Sequence, residues 1–160
     1  MFDSAPEKRI ALISAMSRSK VIGSGNGMPW DVPDEYQHFL DTTRDQTLIM
    51  GRKTFEIFGP TLTCRRCYVI TRSGGPFQNG IAVSSLDEAV AEAGQHDDEI
   101  FIAGGASVYA QAIERADEML LSFIKGDFDG DAFFPDFDEA EWNILTREDR
   151  GDYEFVHYLR

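Results

Sequence analysis

Apolar residues occur along this chain in short dense runs, separated by polar or glycine-rich stretches. Residues 9–16 (RIALISAM) form a nearly unbroken apolar run, the pattern of a strand buried on both faces. Residues 17–31 carry Gly23, Ser24, Gly25, Asn26, Gly27 and Pro29 and predict a loop. Pro33 then opens a helix at its favoured first position, expected to run to about Arg44 with Tyr36, Phe39, Leu40 and Thr43 on its core face. A strand is expected over 47–50, a short helix over 52–58, and strands over 67–71 and 81–83. Ser85 heads a helix, with Glu88 placed for a capping box. A strand over 99–103 and a helix over 107–115 follow. Three late strands, 118–124, 143–148 and 153–159, have no helix between them, which predicts antiparallel pairing at one edge. The whole reads as α/β: one domain over 1–160 with a central twisted, mostly parallel sheet, flanking helices and a flexible extension over 1–8.

Composition narrows the class. At 160 residues and 42% hydrophobic, the chain can close one core. No apolar run approaches the ~18 residues of a membrane helix. The first residues include Asp3, Pro6 and Glu7 without an apolar block, so no secretory leader is read and a cytoplasmic location is expected. A formal charge of −13 argues against nucleic acid or an anionic membrane surface as partner.

The charge is unevenly placed. Arg52, Lys53, Arg65, Arg66 and Arg72 crowd one stretch, no Lys or Arg occurs from Ser73 to Glu114, and acids dominate from Asp127 onward. The acidic tail reads as a solvated surface. A basic cluster in so acidic a chain points instead to an anionic ligand. Cys64 and Cys67 form a C-x-x-C pair without a second pair, and His38, His96 and His157 lack ligand spacing, so the thiols read as incidental and no metal is expected.

Three strand ends carry anion-friendly residues: Gly51-Arg52-Lys53-Thr54, Gly104-Gly105-Ala106-Ser107, and Thr71-Arg72-Ser73. Paired glycines let backbone N–H groups approach a phosphate, and open α/β sheets gather ligands beyond the carboxyl ends of their strands. Together the three predict a dinucleotide site, although neither G-x-G-x-x-G nor G-x-x-x-x-G-K-[ST] occurs. Glu35 lies in the first turn of the helix after the glycine-rich loop, with Phe39 one turn on. By position alone it is an acid suited to a helix N-terminus; the alternative is a carboxylate gripping the donor edge of a heterocycle.

Taken jointly, the motifs are specific. The strand IALISAM, Val21-Ile22-Gly23, Met28-Pro29-Trp30 with Glu35 five residues on, Met50 to Glu56 (MGRKTFE), Ile102 to Tyr109 (IAGGASVY) and Gly130 to Pro135 (GDAFFP) resemble dihydrofolate reductase, in that family's order. The resemblance covers the chain after residue 8. It implies an NADPH-dependent reduction of dihydrofolate to tetrahydrofolate in a monomer that also binds antifolate inhibitors. By resemblance, the catalytic group is Glu35 with Trp30 and the supporting hydroxyl of Ser122. Ile13, Ala15, Tyr36, Phe39, Leu62, Ala103 and Tyr109 match the pocket for the pterin and aminobenzoyl rings, and Arg65 matches the partner of the substrate's tail carboxylate. The cofactor would meet Ala15, Ile22, Gly23, Asn26, Met28, Gly51, Arg52, Lys53, Thr54, Thr71, Arg72, Ser73, Gly104, Gly105, Ala106, Ser107, Val108 and Tyr109. Among these, Thr71 and Arg72 fall where the family meets the 2′-phosphate. A pyrimidine reductase of riboflavin biosynthesis shares fold and cofactor but lacks the pairing of Trp30 with Glu35. This chain departs from the family at Thr61-Leu62-Thr63-Cys64-Arg65, which replaces a Pro-Leu-Pro-Gly-Arg turn. Tyr36 and Ala103 also alter the pocket wall, which implies weaker trimethoprim binding.

Overall fold

The computed structural model describes residues 9–25, 27–97 and 99–160. The expected extension over 1–8 lies outside them. Strand β1 (Arg9–Ser17) is the centre of an eight-stranded sheet, and it is buried throughout except at Arg9. Its side chains alternate between two cores. Ile10, Leu12 and Met16 enter one apolar cluster, while Ala11 and Ile13 enter another on the opposite face. Burial on both sides explains the unbroken apolar run.

The chain leaves β1 through β2 (Val21–Gly23) and α1 (Pro33–Thr42), then builds outward through β3 (Thr47–Gly51), α2 (Arg52–Phe58), β4 (Arg66–Ile70) and β5 (Ile81–Val83). It returns through α3 (Leu86–Ala93) to place β6 (Glu99–Ile102) between β3 and β1. Helix α4 (Ala106–Ala112) then carries it across to β7 (Glu118–Ile124) on the other side of β1. A short β8 (Ala132–Phe133) precedes β9 (Asn143–Asp149) and β10 (Tyr153–Leu159). The sheet order is β5-β4-β3-β6-β1-β7-β10-β9, with β5 to β7 parallel and β10 antiparallel to both β7 and β9. The expected antiparallel edge is present, and the exposed pattern of β9 is that of an edge strand.

Three local expectations need correction. The loop over 17–31 is not wholly irregular, because Val21–Gly23 pairs antiparallel with β8, more than a hundred residues away. Helix α1 stops at Thr42, where Thr43 turns its N–H and hydroxyl back to the Phe39 carbonyl. The α3 cap is only half a capping box: Ser85 Oγ accepts from the Glu88 N–H at 3.1 Å, but the Glu88 carboxylate accepts from Ser84, at its N–H (2.6 Å) and its hydroxyl (2.8 Å).

The β2–β8 ribbon depends on one missing side chain. A Cβ on Gly130 would lie 2.3 Å from the Gly23 carbonyl oxygen and 2.4 Å from Val21 Cγ1, so only glycine lets the two segments meet. We expect Gly130→Ala to destabilise the protein by about 1–3 kcal/mol through forced displacement. Gly27→Ala, whose Cβ would meet nothing within 4 Å, should leave the melting temperature nearly unchanged. Equal melting temperatures for the two variants would refute this account of the ribbon.

Candidate active site

A cleft of about 1360 Å³ opens at the carboxyl ends of β1, β3, β4 and β6, where β6 inserts between strands built earlier in the chain. That is where a parallel sheet changes winding direction and leaves a crevice. One half is apolar, walled by Ile13, Ala15, Trp30, Tyr36, Phe39, Met50, Ile57 and Phe58. The other half is polar, walled by Arg52, Lys53, Thr54, Thr71, Arg72, Ser73, Ser84, Ser85 and Gln111.

Glu35 is the one ionisable carboxylate buried in the apolar half among the described residues, and only 8% of it is exposed. It is the residue α1 buries most deeply, which sets aside the reading of a solvated helix-terminus charge. Loss of hydration raises its pKa from near 4.5 to about 7, against a smaller lowering by the hydrogen bond from Ser122. Ser122, 1% exposed, sits on β7 opposite Ala15 of β1, so strand register fixes the hydroxyl behind the acid. Tyr109 on α4 donates its hydroxyl to the Ile13 carbonyl at 2.6 Å, and burial pushes that phenol's pKa up. Tyr36 stacks between Phe39 and Phe58, with ring centroids 6.0 and 5.7 Å away. Trp30 meets the edge of Phe128 at 5.5 Å, closing the wall.

The polar half is floored by bare backbone. The Ala103 N–H donates to the Ile49 carbonyl at 2.9 Å and the Gly51 N–H to the Gly104 carbonyl at 2.8 Å, locking the ends of β3 and β6 together. Gly104 has φ +108°, and a Cβ there would press on the Tyr109 ring at 3.2 Å. Helices α2 and α4 begin directly beyond this floor. Arg52 is held by Ser73 and by Glu56, the latter at 3.5 Å. Among the described residues only Arg18, Lys53 and Arg72 make no ion pair, and the last two line the cleft. Lys53 and Arg72 therefore leave positive charge uncompensated in the cleft of an acidic protein.

Of the residues expected at the site, Ile13, Ala15, Ile22, Gly23, Met28, Trp30, Glu35, Tyr36, Phe39, Ala103 and Tyr109 line the cleft, as do the three anion-friendly strand ends through Val108. Ser122 supports Glu35 from behind. Asn26 lies outside the described residues. Two of the expected residues stand outside the cleft lining. Leu62 packs on the cluster beneath the cleft and does not line it. Arg65 does not line it either; its guanidinium is 3.1 Å from Asp97. Sequence reasoning missed Met50, Ile57 and Phe58, which read as ordinary strand and helix positions, Thr61, which read as part of the altered turn, and Asp131 and Ala132, whose approach needs the β2–β8 ribbon.

The chain as a whole is similar to known proteins. A family model described as dihydrofolate reductase matches residues 9–160. The chain is 38% identical to dihydrofolate reductase type A13 of Escherichia coli over 93% of this chain and 92% of that one. It is 36% identical to the dihydrofolate reductase of Bacillus subtilis (strain 168), covering 93% of each. The solved dihydrofolate reductase from Enterococcus faecalis, complexed with NADP(H) and RAB-propyl, superposes with a TM-score of 0.82 at 28% identity, over 95% of this chain and 96% of that one. A family model that spans residues 9–160, with relatives 36% and 38% identical over 93% of the chain, places this chain in the dihydrofolate reductase family.

Proposed function

We propose that this chain reduces 7,8-dihydrofolate to 5,6,7,8-tetrahydrofolate with NADPH. The observation that carries the reading is Glu35, a carboxyl buried in an apolar half-cleft that adjoins a cation-rich, glycine-floored half. The cleft exceeds the roughly 300–1,000 Å³ usual for one small ligand, which suits two ligands held side by side. The polar half fits a dinucleotide. Gly104 and Gly105 leave room for a pyrophosphate over the starts of α2 and α4, Thr54 lies beside Gly105, and Lys53 and Arg72 bring unpaired positive charge. Arg72, next to Thr71 and Ser73, would meet a 2′-phosphate and so favour NADPH over NADH.

Bound there, the cofactor supplies the hydride for C6 of the pterin. The chain's own residues bind, orient and exclude water. Glu35, once ionised, accepts hydrogen bonds from two adjacent N–H donors of the pterin edge, with Ser122 fixing its carboxylate. Tyr36 and Phe39 pack on the flat ring system, and Trp30 walls off solvent. N5 takes its proton from water, favoured by the electrostatics of Glu35 with no side chain as direct donor. Arg65 would meet the substrate's tail carboxylate, and antifolates of similar shape would occupy the same half-cleft. The protein acts as a monomer in this reading. Decay of NADPH absorbance on adding dihydrofolate tests the proposal directly. A purified, folded protein giving no decay would refute it.

Two expectations follow from the site. For Glu35, the pKa is raised on folding from near 4.5 to about 7, so the native state binds a proton more tightly than the unfolded chain. Ionisation then removes stability as pH rises between those values, by about 3 kcal/mol in total. Glu35→Gln should therefore melt higher than wild type above pH 7, with the difference shrinking toward pH 4. Its turnover at neutral pH should fall by orders of magnitude, a loss of about 3–5 kcal/mol of transition-state stabilisation, and recover in part in acid. For Arg72, steady-state kinetics should show Arg72→Ala raising the KM for NADPH far more than that for NADH. Equal effects on both cofactors would place the 2′-phosphate elsewhere.

A further inference from the structure

The segment expected to carry the substrate's tail is held in place by its backbone, while its arginine points elsewhere. The Arg65 N–H donates to the Gln46 carbonyl at 2.8 Å, and the Asp45 N–H to the Thr63 carbonyl at 3.1 Å. Thr63 Oγ1 donates to the Leu40 carbonyl at 2.7 Å, so the strand of chain leading to Arg65 is stitched to the end of α1, the helix that carries Glu35, Tyr36 and Phe39. With the main chain pinned, only the Arg65 side chain can move.

That side chain is engaged by Asp97. Nη1 of Arg65 lies 3.1 Å from Asp97 Oδ1, and Nη1 of Arg66 lies 3.3 Å from Asp97 Oδ2, which also accepts from the Thr47 hydroxyl. Asp97 is mostly enclosed, with a side chain 17% exposed, whereas that of Arg65 is 51% exposed. The acid is thus the fixed member of the pair and the arginine the movable one. Asp97 offers Arg65 the chemistry that a substrate's terminal carboxylate would offer: a planar anion accepting from the guanidinium fork.

We infer that Asp97 is a specificity-determining residue, an internal carboxylate that competes with the substrate's tail for Arg65 and sets how much the tail adds to binding. The inference rests on the proposed role of Arg65 in tail recognition. It explains why Arg65 stands outside the cleft although its main chain is joined to α1. The competing pair is half exposed, so its effect on affinity is modest.

The test uses the full chain with bound NADP+, which cannot donate hydride, and compares the dissociation constants of dihydrofolate and of a tail-less 6-methyl-7,8-dihydropterin. Asp97→Asn keeps an acceptor for Thr47 but removes the charge, and it should tighten dihydrofolate about two- to fivefold. The tail-less pterin and the KM for NADPH should not change. Arg65→Ala should weaken dihydrofolate selectively, and adding Asp97→Asn to it should bring no gain. If Arg65→Ala weakens both ligands equally, the tail reading of Arg65 fails. If Arg65→Ala is selective but Asp97→Asn binds dihydrofolate like wild type, or its gain persists without Arg65, the competition is refuted and the tail reading stands. Should Asp97→Asn not fold, Asp97→Ser, which still offers Thr47 an oxygen, gives the same comparison.

Discussion

A carboxyl group kept out of water is the constraint around which this cleft is arranged. Burying an acid is unfavourable unless it stays protonated or finds donors. Here one donor, the Ser122 hydroxyl, is supplied from the neighbouring strand, and the remaining acceptor capacity of Glu35 faces the cleft. That arrangement depends on the parallel register of β1 and β7, which sets Ser122 opposite Ala15. A slip of one residue would turn the hydroxyl to the other face of the sheet and leave the acid without support. The elevated pKa is the energetic sign of an incomplete site. A ligand edge carrying two N–H donors completes it, so ligand binding and ionisation of Glu35 reinforce each other.

The distribution of charge complements this. In a chain of net charge −13, nearly every described cation is taken up by a carboxylate. Exposed pairs of this kind stabilise the fold only slightly, but they neutralise positive potential over the surface. Leaving Lys53 and Arg72 unpaired at the rim of the cleft concentrates what remains where an anion would enter. The same logic makes Asp97 notable, since it takes up two arginines, Arg65 and Arg66, outside the cleft.

Much of this was legible in the residues. The apolar run of β1 specified a central strand, Pro33 marked the start of α1, and the glycine pair at 104 and 105 marked a strand end that a ligand can approach closely. What escaped was set by partners far along the chain. The three residues of β2 carry too little pattern to announce a strand; they pair only because Gly130 lets β8 come close. Glu35 could be read as a helix-terminus acid or a buried one, and only the packing of β7 against β1 decides between them. Arg65 illustrates the opposite failure. A motif fixes the position of an arginine in the chain, but which carboxylate it meets depends on Asp97, thirty-two residues on and unremarkable in sequence.

The glycine-rich loop shows how a long-range contact shapes local freedom. Its first half is secured by the β2–β8 pairing, and Phe134 donates its N–H to the Lys20 carbonyl at 2.8 Å just before that ribbon. Further along, the Gly25 N–H is shared between the two oxygens of Asp131 at 3.3 and 3.4 Å, a longer and more exposed contact. Beyond it, the chain is held again where Trp30 packs on Phe128. Displacing β2 would open the close packing at Gly130, whereas releasing Gly25 gives up only one weak, solvent-screened hydrogen bond. Of the described residues here, those between Gly23 and Trp30 are thus held least firmly to the rest of the fold, and Met28 among them stands on the cleft wall.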